Sequence, residues 1–234
     1  MIDFNTLYQL TNQTWNPTSN FWCLGLPEST ERQAEFHKEQ NKIPTIWSFP
    51  GIRHKTPWIG CGLSYKYMLR YARDHQWNNI SICEDDVLFP DDIQKKLEDI
   101  HHVLDDKSLN WDIFSGHVTN LHPEADIRLL SKNQLTNYVL LNKTTGTVFN
   151  IYHQPVYDYL LRWDEKNQDL KTNAIDRYIE NKPDLKVITT LPYLVGHKED
   201  ICTTLWDRKH FSSFSYNDMT LNSIKAIQDK ISKT

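Results

Sequence analysis

The sequence predicts an α/β protein in which one mixed sheet carries helices on its faces. Short, β-rich apolar runs alternate along the chain with longer stretches of helical periodicity, and turn-forming residues separate them. The length of 234 residues lies within the range in which one α/β domain buries a continuous core. We therefore expect a single domain over residues 1–234, with its ligand site at the carboxyl edge of the sheet.

The first half of the chain predicts two strand and helix pairs followed by a third strand. An apolar run predicts a strand over 21–26, and the glutamate-rich stretch 28–40 has the composition of a helix. Residues 44–49 predict a second strand, and apolar residues at three- and four-residue spacings predict a helix over 62–77. The third strand is predicted over 80–83, directly before a run of three acids.

The second half of the chain continues the alternation. Pro90 is typical of the first turn of a helix. Apolar positions spaced along the last helix predict that it packs on the domain over 218–232, beyond a core of about 20–206. The other predicted elements are strands over 111–115, 138–141, 147–152 and 186–191 and helices over 155–163 and 173–181.

Charge and hydropathy argue against several functional classes. The formal net charge of -4 argues against binding of nucleic acid, which needs clustered Lys and Arg. The first residues lack a basic stretch followed by an apolar core, and no segment approaches the roughly 20 apolar residues that cross a bilayer. We therefore expect a cytoplasmic protein without a transmembrane segment.

The cysteines are widely spaced and form no CxxC pair. This pattern favours buried thiols over a zinc site or a set of disulfides. The four positions are Cys23, Cys61, Cys83 and Cys202.

Three consecutive acids, Glu84, Asp85 and Asp86, follow the predicted strand over 80–83. Carboxylates at this position repel one another and lose hydration unless a cation or hydrogen-bond donors compensate. One interpretation is a divalent ion such as Mg²⁺ or Mn²⁺, which prefers oxygen ligands and bridges protein carboxylates to a diphosphate. The other interpretation is a solvated acidic turn before a helix, and the pattern by itself favours neither.

A longer segment around these acids resembles a known family. The segment is residues 59–89, IGCGLSYKYMLRYARDHQWNNISICEDDVLF, and it resembles the central signature of glycosyltransferase family 25, the lipopolysaccharide-biosynthesis and collagen-galactosyltransferase type. In that family a glycine-cysteine pair and a serine-led helix precede an apolar strand ending in glutamate-aspartate-aspartate. Residues 60–61, Ser64 and residues 84–86 correspond here, whereas Tyr65 replaces the histidine that usually follows the serine.

Weaker similarity to the same family extends over residues 21–204. It includes the opening strand and a helix with Arg32, a glycine-threonine strand at 146–152, an aspartate-tyrosine element at 173–178, and a proline-containing strand that leads to His197. The resemblance implies a GT-A-like domain with a Rossmann-like mixed sheet. It also implies a UDP-sugar donor, with galactose the most familiar sugar, a glycan or other hydroxyl acceptor, Mn²⁺ or Mg²⁺ at the acidic motif, and inversion at the anomeric carbon.

Within this scheme each acid has a predicted role. Asp86 is our first choice as the direct metal ligand, because a metal on the diphosphate neutralises the leaving group. Glu84 and Asp85 are expected to contact the ribose or sugar hydroxyls or the water shell of the metal, since adjacent residues on an extended chain point in opposite directions. Arg32 is a candidate contact for the donor pyrophosphate or base, with a solvated charge as the alternative.

Two further residues complete the predicted site. His197 follows a predicted strand and is a candidate second metal ligand, because a neutral imidazole can join carboxylates around Mn²⁺. His117, at another strand end, is a weaker candidate. For inversion a carboxylate must accept the proton of the attacking hydroxyl, and the resemblance singles out Asp176, with Glu199 and Asp200 as the runners-up.

Two other functional classes fit the same acids. A metal-dependent phosphohydrolase or nucleotidyltransferase also clamps phosphates with carboxylates around Mg²⁺. A non-catalytic sugar-binding protein would keep the fold without turnover. Metal-dependent binding of UDP distinguishes the glycosyltransferase from a sugar-binding protein. The products released from UDP-sugars distinguish it from a phosphohydrolase or nucleotidyltransferase.

Overall fold

The computed structural model describes residues 3–12, 17–132, 136–199 and 215–233. The helices in these ranges are α1 (Phe4–Thr11), α2 (Thr30–Gln40), α3 (Pro57–Asp74), α4 (Ile93–Leu104), α5 (Gln154–Leu160), α6 (Leu170–Asn173), α7 (Ile175–Glu180) and α8 (Tyr216–Ile231). The strands are β1 (Phe21–Gly25), β2 (Trp47–Pro50), β3 (Asn79–Glu84), β4 (Val87–Leu88), β5 (Ile113–Ser115), β6 (Asn120–Leu121), β7 (Ile127–Lys132), β8 (Asn137–Leu141), β9 (Thr144–Thr145), β10 (Phe149–His153), β11 (Val187–Leu191) and β12 (Gly196–His197).

The main sheet contains eight strands in the order β2-β1-β3-β10-β5-β11-β8-β7. Strand β1 is parallel to β2 and β3, and β5 is parallel to β11. Strand β10 is antiparallel to both of its neighbours, and β8 is likewise antiparallel to β11 and β7. Two short ladders, β12 with β4 and β6 with β9, lie outside this sheet. The prediction of an α/β protein with a mixed sheet flanked by helices is confirmed.

The core divides between the two faces of this sheet. Successive residues of a strand point to opposite faces, and in β1 Trp22 and Leu24 belong to one buried cluster while Phe21 and Cys23 belong to the other. The first cluster includes the buried residues of α3, α5, α7 and Ile227 of α8, and the second includes those of α4 and Phe36 of α2. Apolar helix faces therefore cover the sheet on both sides.

Most predicted elements are confirmed, with shifted ends in several of them. Helix α3 begins at Pro57, so its predicted start at residue 62 was wrong. The glycines in the first turns of α3 are packing positions, because a Cβ on Gly60 would lie 2.5 Å from the Ile52 carbonyl oxygen. A Cβ on Gly62 would lie 2.3 Å from the Trp163 ring.

Other corrections follow from local chemistry. Pro90 precedes α4 by a turn in which its carbonyl accepts the Ile93 N–H at 3.2 Å, so the helix begins later than predicted. The predicted helix over 173–181 is divided at Ala174, whose ψ of 140° is extended. The sequence patterns missed α1 and the edge strand β7, which has no fully buried residue to give a clear periodicity.

Cys23 and Cys83 are buried and lie opposite each other on β1 and β3, and Cys61 is partly buried. All three are free thiols, and Cys202 lies outside the described residues. Within the described ranges, no helix is long and apolar enough to cross a membrane.

Candidate functional site

The candidate site lies where the chain reverses its direction of travel across the sheet. From β1 the chain passes through α2 to β2 on one side, and from β2 it passes through α3 to β3 on the other side of β1. The carboxyl ends of β1 and β3 are adjacent, with Leu24 opposite Glu84. In open α/β sheets ligands bind in the crevice that such a reversal opens. The acids at 84–86 lie at this crevice.

Arg32 of α2 reaches the two aspartates that follow β3. Its Nε donates to Asp85 Oδ1 at 2.8 Å, and its Nη2 donates to Asp86 Oδ2 at 2.8 Å and also contacts Asp85. All three residues are buried, at 8%, 3% and 8% exposed for Arg32, Asp85 and Asp86. The acids therefore do not form a solvated turn, and Arg32 is not a solvated charge. Part of the counter-charge that three carboxylates need comes from the protein itself.

His197 is brought to the same aspartate by a short ladder. Strand β12 pairs antiparallel with β4, which begins directly after Asp86, so that His197 lies opposite Val87. The Lys198 N–H donates to the Asp86 carbonyl at 2.8 Å, and His197 Nε2 lies 3.4 Å from Asp86 Oδ2. Burial would raise the pKa of Asp86, but hydrogen bonds and the charges of His197 and Arg32 lower it to about 2. Asp86 is thus held as a carboxylate.

Several buried polar atoms at this place have no hydrogen-bond partner among the described residues. They are Asp86 Oδ1, His197 Nδ1 and His117 Nδ1. His117 follows β5, is 4% exposed, and its ring centroid lies 6.4 Å from that of His197. Burial and the nearby His197 lower the pKa of His117 to about 4. Unpaired polar atoms in a buried site are costly, so they point to a ligand, an ion or water.

The residues fit a metal ion with two protein ligands. Asp86 Oδ2 lies 3.4 Å from His197 Nε2 and also accepts from Arg32, so these two atoms already have partners. The atoms that are open to an ion are Asp86 Oδ1 and His197 Nδ1, which have no partner among the described residues. Within the described part of the chain, no group of three or more His, Cys, Asp or Glu side chains is arranged to hold a metal. Mg²⁺-type ions commonly bind through one or two protein groups together with substrate phosphates and water.

Glu84 has a different environment from the two aspartates. It ends β3, and the Tyr65 hydroxyl lies 3.4 Å from its Oε1 and donates to the Thr147 carbonyl at 3.2 Å. Burial, with the charge of Asp86, raises the pKa of Glu84 to about 7. Glu84 and Asp86 are two residues apart in the chain, yet their environments move their pKa values in opposite directions.

Two signature residues of the 59–89 segment have a structural role. Ser64 Oγ accepts the N–H of Ile52 at 2.8 Å and donates to the Gly60 carbonyl at 2.8 Å. Since a side chain at Gly60 would collide with the Ile52 carbonyl, both residues hold the loop after β2 against α3. They shape the crevice without supplying chemistry.

Asp176 lies on α7, half-buried, on the same side of the sheet as α3. Its carboxylate accepts the Arg177 N–H at 2.8 Å, and burial raises its pKa. Its charge raises the pKa of Cys61, Tyr152 and Tyr216, after the larger effect of burial, and the charge of Glu84 acts on the same three groups. Asp176 therefore shares its surroundings with Glu84. Glu199 is exposed, and Asp200 lies outside the described residues.

Sequence patterns did not single out two other neighbours of the site. Gln33 Nε2 lies 3.4 Å from Asp85 Oδ2, next to Arg32 on α2. Tyr216, the first residue of α8, stacks on His197 with ring centroids 5.0 Å apart. The position of Gln33 beside Arg32 could have predicted that Gln33 lies at the site, whereas nothing in the sequence connects Tyr216 with His197.

In comparisons with known proteins, no protein-family model matches the chain, and no curated protein is significantly similar to it. The resemblance of residues 59–89 therefore stays a prediction, and it contributes below only to a proposal.

Proposed function

We propose that this chain is a metal-dependent glycosyltransferase with a GT-A-like fold, which moves a sugar from a UDP-sugar to a hydroxyl group of a glycan or other acceptor. The observation that carries the proposal is the environment of the Asp86 carboxylate. Its carboxylate is buried at the reversal of the sheet, faces His197, and leaves Oδ1 without a partner among the described residues. Such an oxygen suits a divalent cation, and the position suits a nucleotide.

Asp86 and His197 are the residues that would hold Mn²⁺ or Mg²⁺. When bound, the ion would neutralise the charge that develops on the diphosphate leaving group. Arg32 supports this assignment, because its guanidinium at the same aspartates adds a second positive group beside a diphosphate. Asp85 holds Arg32 in place. Glu84 faces the ribose or sugar hydroxyls, and its pKa of about 7 lets its carboxyl group either donate or accept a hydrogen bond.

Asp176 is the proposed proton acceptor. Inversion requires a base on the face of the sugar opposite the leaving group, and Asp176 comes from a different element than the acids after β3 while sharing their surroundings. Its raised pKa increases its basicity as a carboxylate. Glu84 is not the proton acceptor in this proposal.

The family resemblance supports the same proposal. The residues that carry it, 59–89, form most of α3 together with β3, β4 and the acidic motif. UDP as the nucleotide, galactose as the sugar and the cytoplasm as the location are parts of the proposal that come from the resemblance and from the hydropathy of the chain.

Calorimetric titration of UDP tests the proposal directly. We expect binding in the presence of Mn²⁺, weaker binding with Mg²⁺ because an imidazole ligand suits Mn²⁺ better, and none after EDTA. Binding of UDP that is unchanged by EDTA would contradict the metal site.

Incubation with a panel of UDP-sugars and Mn²⁺ then separates the classes of enzyme. Slow release of UDP and free sugar is expected of a glycosyltransferase that lacks its acceptor. Release of UMP with a sugar phosphate would instead indicate a phosphohydrolase, and an absence of both turnover and metal-dependent UDP binding would favour a non-catalytic sugar-binding protein.

A further inference from the structure

Tyr216 is a large aromatic residue beside a buried polar site, yet it is 38% exposed. Its ring stacks on His197, with the two planes 30° apart. Burial raises the pKa of its hydroxyl, and the charges of Glu84, Asp86 and Asp176 raise it further, to about 12. Through its stack on His197, Tyr216 is therefore a neighbour of Asp86 after β3.

The position of Tyr216 is fixed by the rest of α8. Ser223 Oγ donates to the Val118 carbonyl at 3.0 Å and lies 2.8 Å from the Tyr193 hydroxyl. Ile227, one turn further on, is fully buried in the core. These contacts attach α8 to the segments that follow β5 and β11. The helix thus holds the Tyr216 ring at the site although the ring itself is only partly covered.

One face of the Tyr216 ring packs on His197. The residue is 38% exposed beside a carboxylate and an imidazole, and an aromatic side chain with a few placed polar groups is typical of ligand pockets. A tyrosine that served packing alone would gain more from full burial.

On the basis of the proposed function, we propose that Tyr216 contacts the transferred sugar, with its aromatic ring against the apolar face of the sugar ring. The sugar must lie between the diphosphate, at Asp86 and His197, and the proton acceptor, at Asp176. Tyr216 stacks on His197, at the diphosphate end of this space. The uracil ring is separated from this place by the length of the ribose and the diphosphate, so it does not reach Tyr216 from the same pose.

A comparison of two ligands tests this contact. The affinities of UDP and UDP-galactose are measured by titration with Mn²⁺ for the wild type, Tyr216→Ala and Tyr216→Phe. We expect the alanine variant to bind UDP-galactose about tenfold more weakly, with its UDP affinity within about twofold, since loss of one stacked ring is of this size. Phenylalanine should keep the wild-type ratio. Leu221→Ala, at a residue of α8 that is 61% exposed, is the matched control.

Three outcomes overturn the inference. Equal losses for UDP and UDP-galactose would mean that the ring acts through His197 and the ion, and no loss for either would mean that it faces solvent only. A wild type without metal-dependent UDP binding would remove the proposed function itself, which the first two outcomes leave standing. Should the alanine variant have a lower melting temperature, Tyr216→Leu keeps apolar contact with His197 and must show the same selective loss.

Discussion

The two halves of the candidate site are built in different ways. The acidic half consists of Arg32, Glu84, Asp85, Asp86 and His197, which come from three separate parts of the chain and are joined by hydrogen bonds and ion pairs at the sheet edge. The other half, which we call the α7 half, is Asp176, whose carboxylate accepts a local N–H and shares only its electrostatic surroundings with Glu84. The first half is fixed by sheet register, and the second by packing of a six-residue helix.

This difference has a consequence for function. A preassembled, buried group of charges suits a ligand that is present in every turnover, such as a metal and a diphosphate. A half-buried carboxylate with few constraints suits a group that meets a variable acceptor and exchanges a proton with it. Substitutions in the two halves are therefore expected to change different measured quantities.

The largest expected effect is the loss of UDP binding on changing Asp86 in the acidic half. Asp86→Asn keeps the shape of the side chain but removes the charge beside His197 and Arg32, so we expect Mn²⁺-dependent UDP binding to be abolished. Calorimetry with and without Mn²⁺ measures it. Asp91→Asn, at a fully exposed side chain five residues further on, is the matched control and should bind as the wild type. Unchanged affinity in Asp86→Asn would remove Asp86 from the metal site.

A substitution in the α7 half is expected to lower turnover and to leave donor binding unchanged. Asp176→Asn should lower transfer by about 10² to 10⁴-fold, the usual contribution of a general base, while UDP affinity stays within about twofold. Transfer is measured with the donor and acceptor that the panel identifies. Asp158→Asn, at an exposed carboxylate of α5, controls for the loss of a charge. Transfer that persists in Asp176→Asn would assign the base to another residue.

Sequence patterns predicted more of the structure of the acidic half than of the α7 half. The strand before Glu84 follows from a β-rich run and the helix that carries Arg32 from its composition, so the position of these residues at the carboxyl edge of the sheet was predictable. The ion pairs of Arg32 with Asp85 and Asp86 were not, because they depend on β1 and β3 lying side by side, a long-range pairing that no local pattern encodes.

His197 and Tyr216 show the same limit more clearly. His197 was predicted from its position after a predicted strand and from the chemistry of imidazole. Its approach to Asp86 depends on the two-residue ladder of β12 with β4, which is too short to produce an alternating pattern. Tyr216 meets His197 only because α8 packs against segments from distant parts of the chain. Contacts of this kind come from tertiary packing, whereas propensity and periodicity report on single elements.

A third prediction concerns the stability of the acidic half without a metal. Arg32→Met removes the cation from two buried aspartates, and breaking a buried ion pair by removing one partner costs about 3 kcal/mol. Urea unfolding should show a lower midpoint with an unchanged slope, and Mn²⁺ should recover part of the loss because it binds only the folded state. Arg53→Met, at an exposed arginine paired with the exposed Glu28, should cost less than about 0.5 kcal/mol. Equal costs in the two variants would contradict the role of Arg32 as an internal counter-charge.

The smallest effect is expected at Tyr65, where the family that residues 59–89 resemble usually has a histidine. Its hydroxyl donates to the Thr147 carbonyl at 3.2 Å and stands 3.4 Å from Glu84, so it connects β3 with the start of the β10 region. Tyr65→Phe leaves the buried ring in place and should cost about 1 kcal/mol of unfolding free energy, the usual net value of one hydrogen bond. UDP affinity should stay within about twofold, because the ring is fully buried and only its hydroxyl approaches Glu84. A tenfold loss of UDP affinity, measured by the same titration, would instead make Tyr65 part of the donor site and would mean that it takes over the function of the missing imidazole.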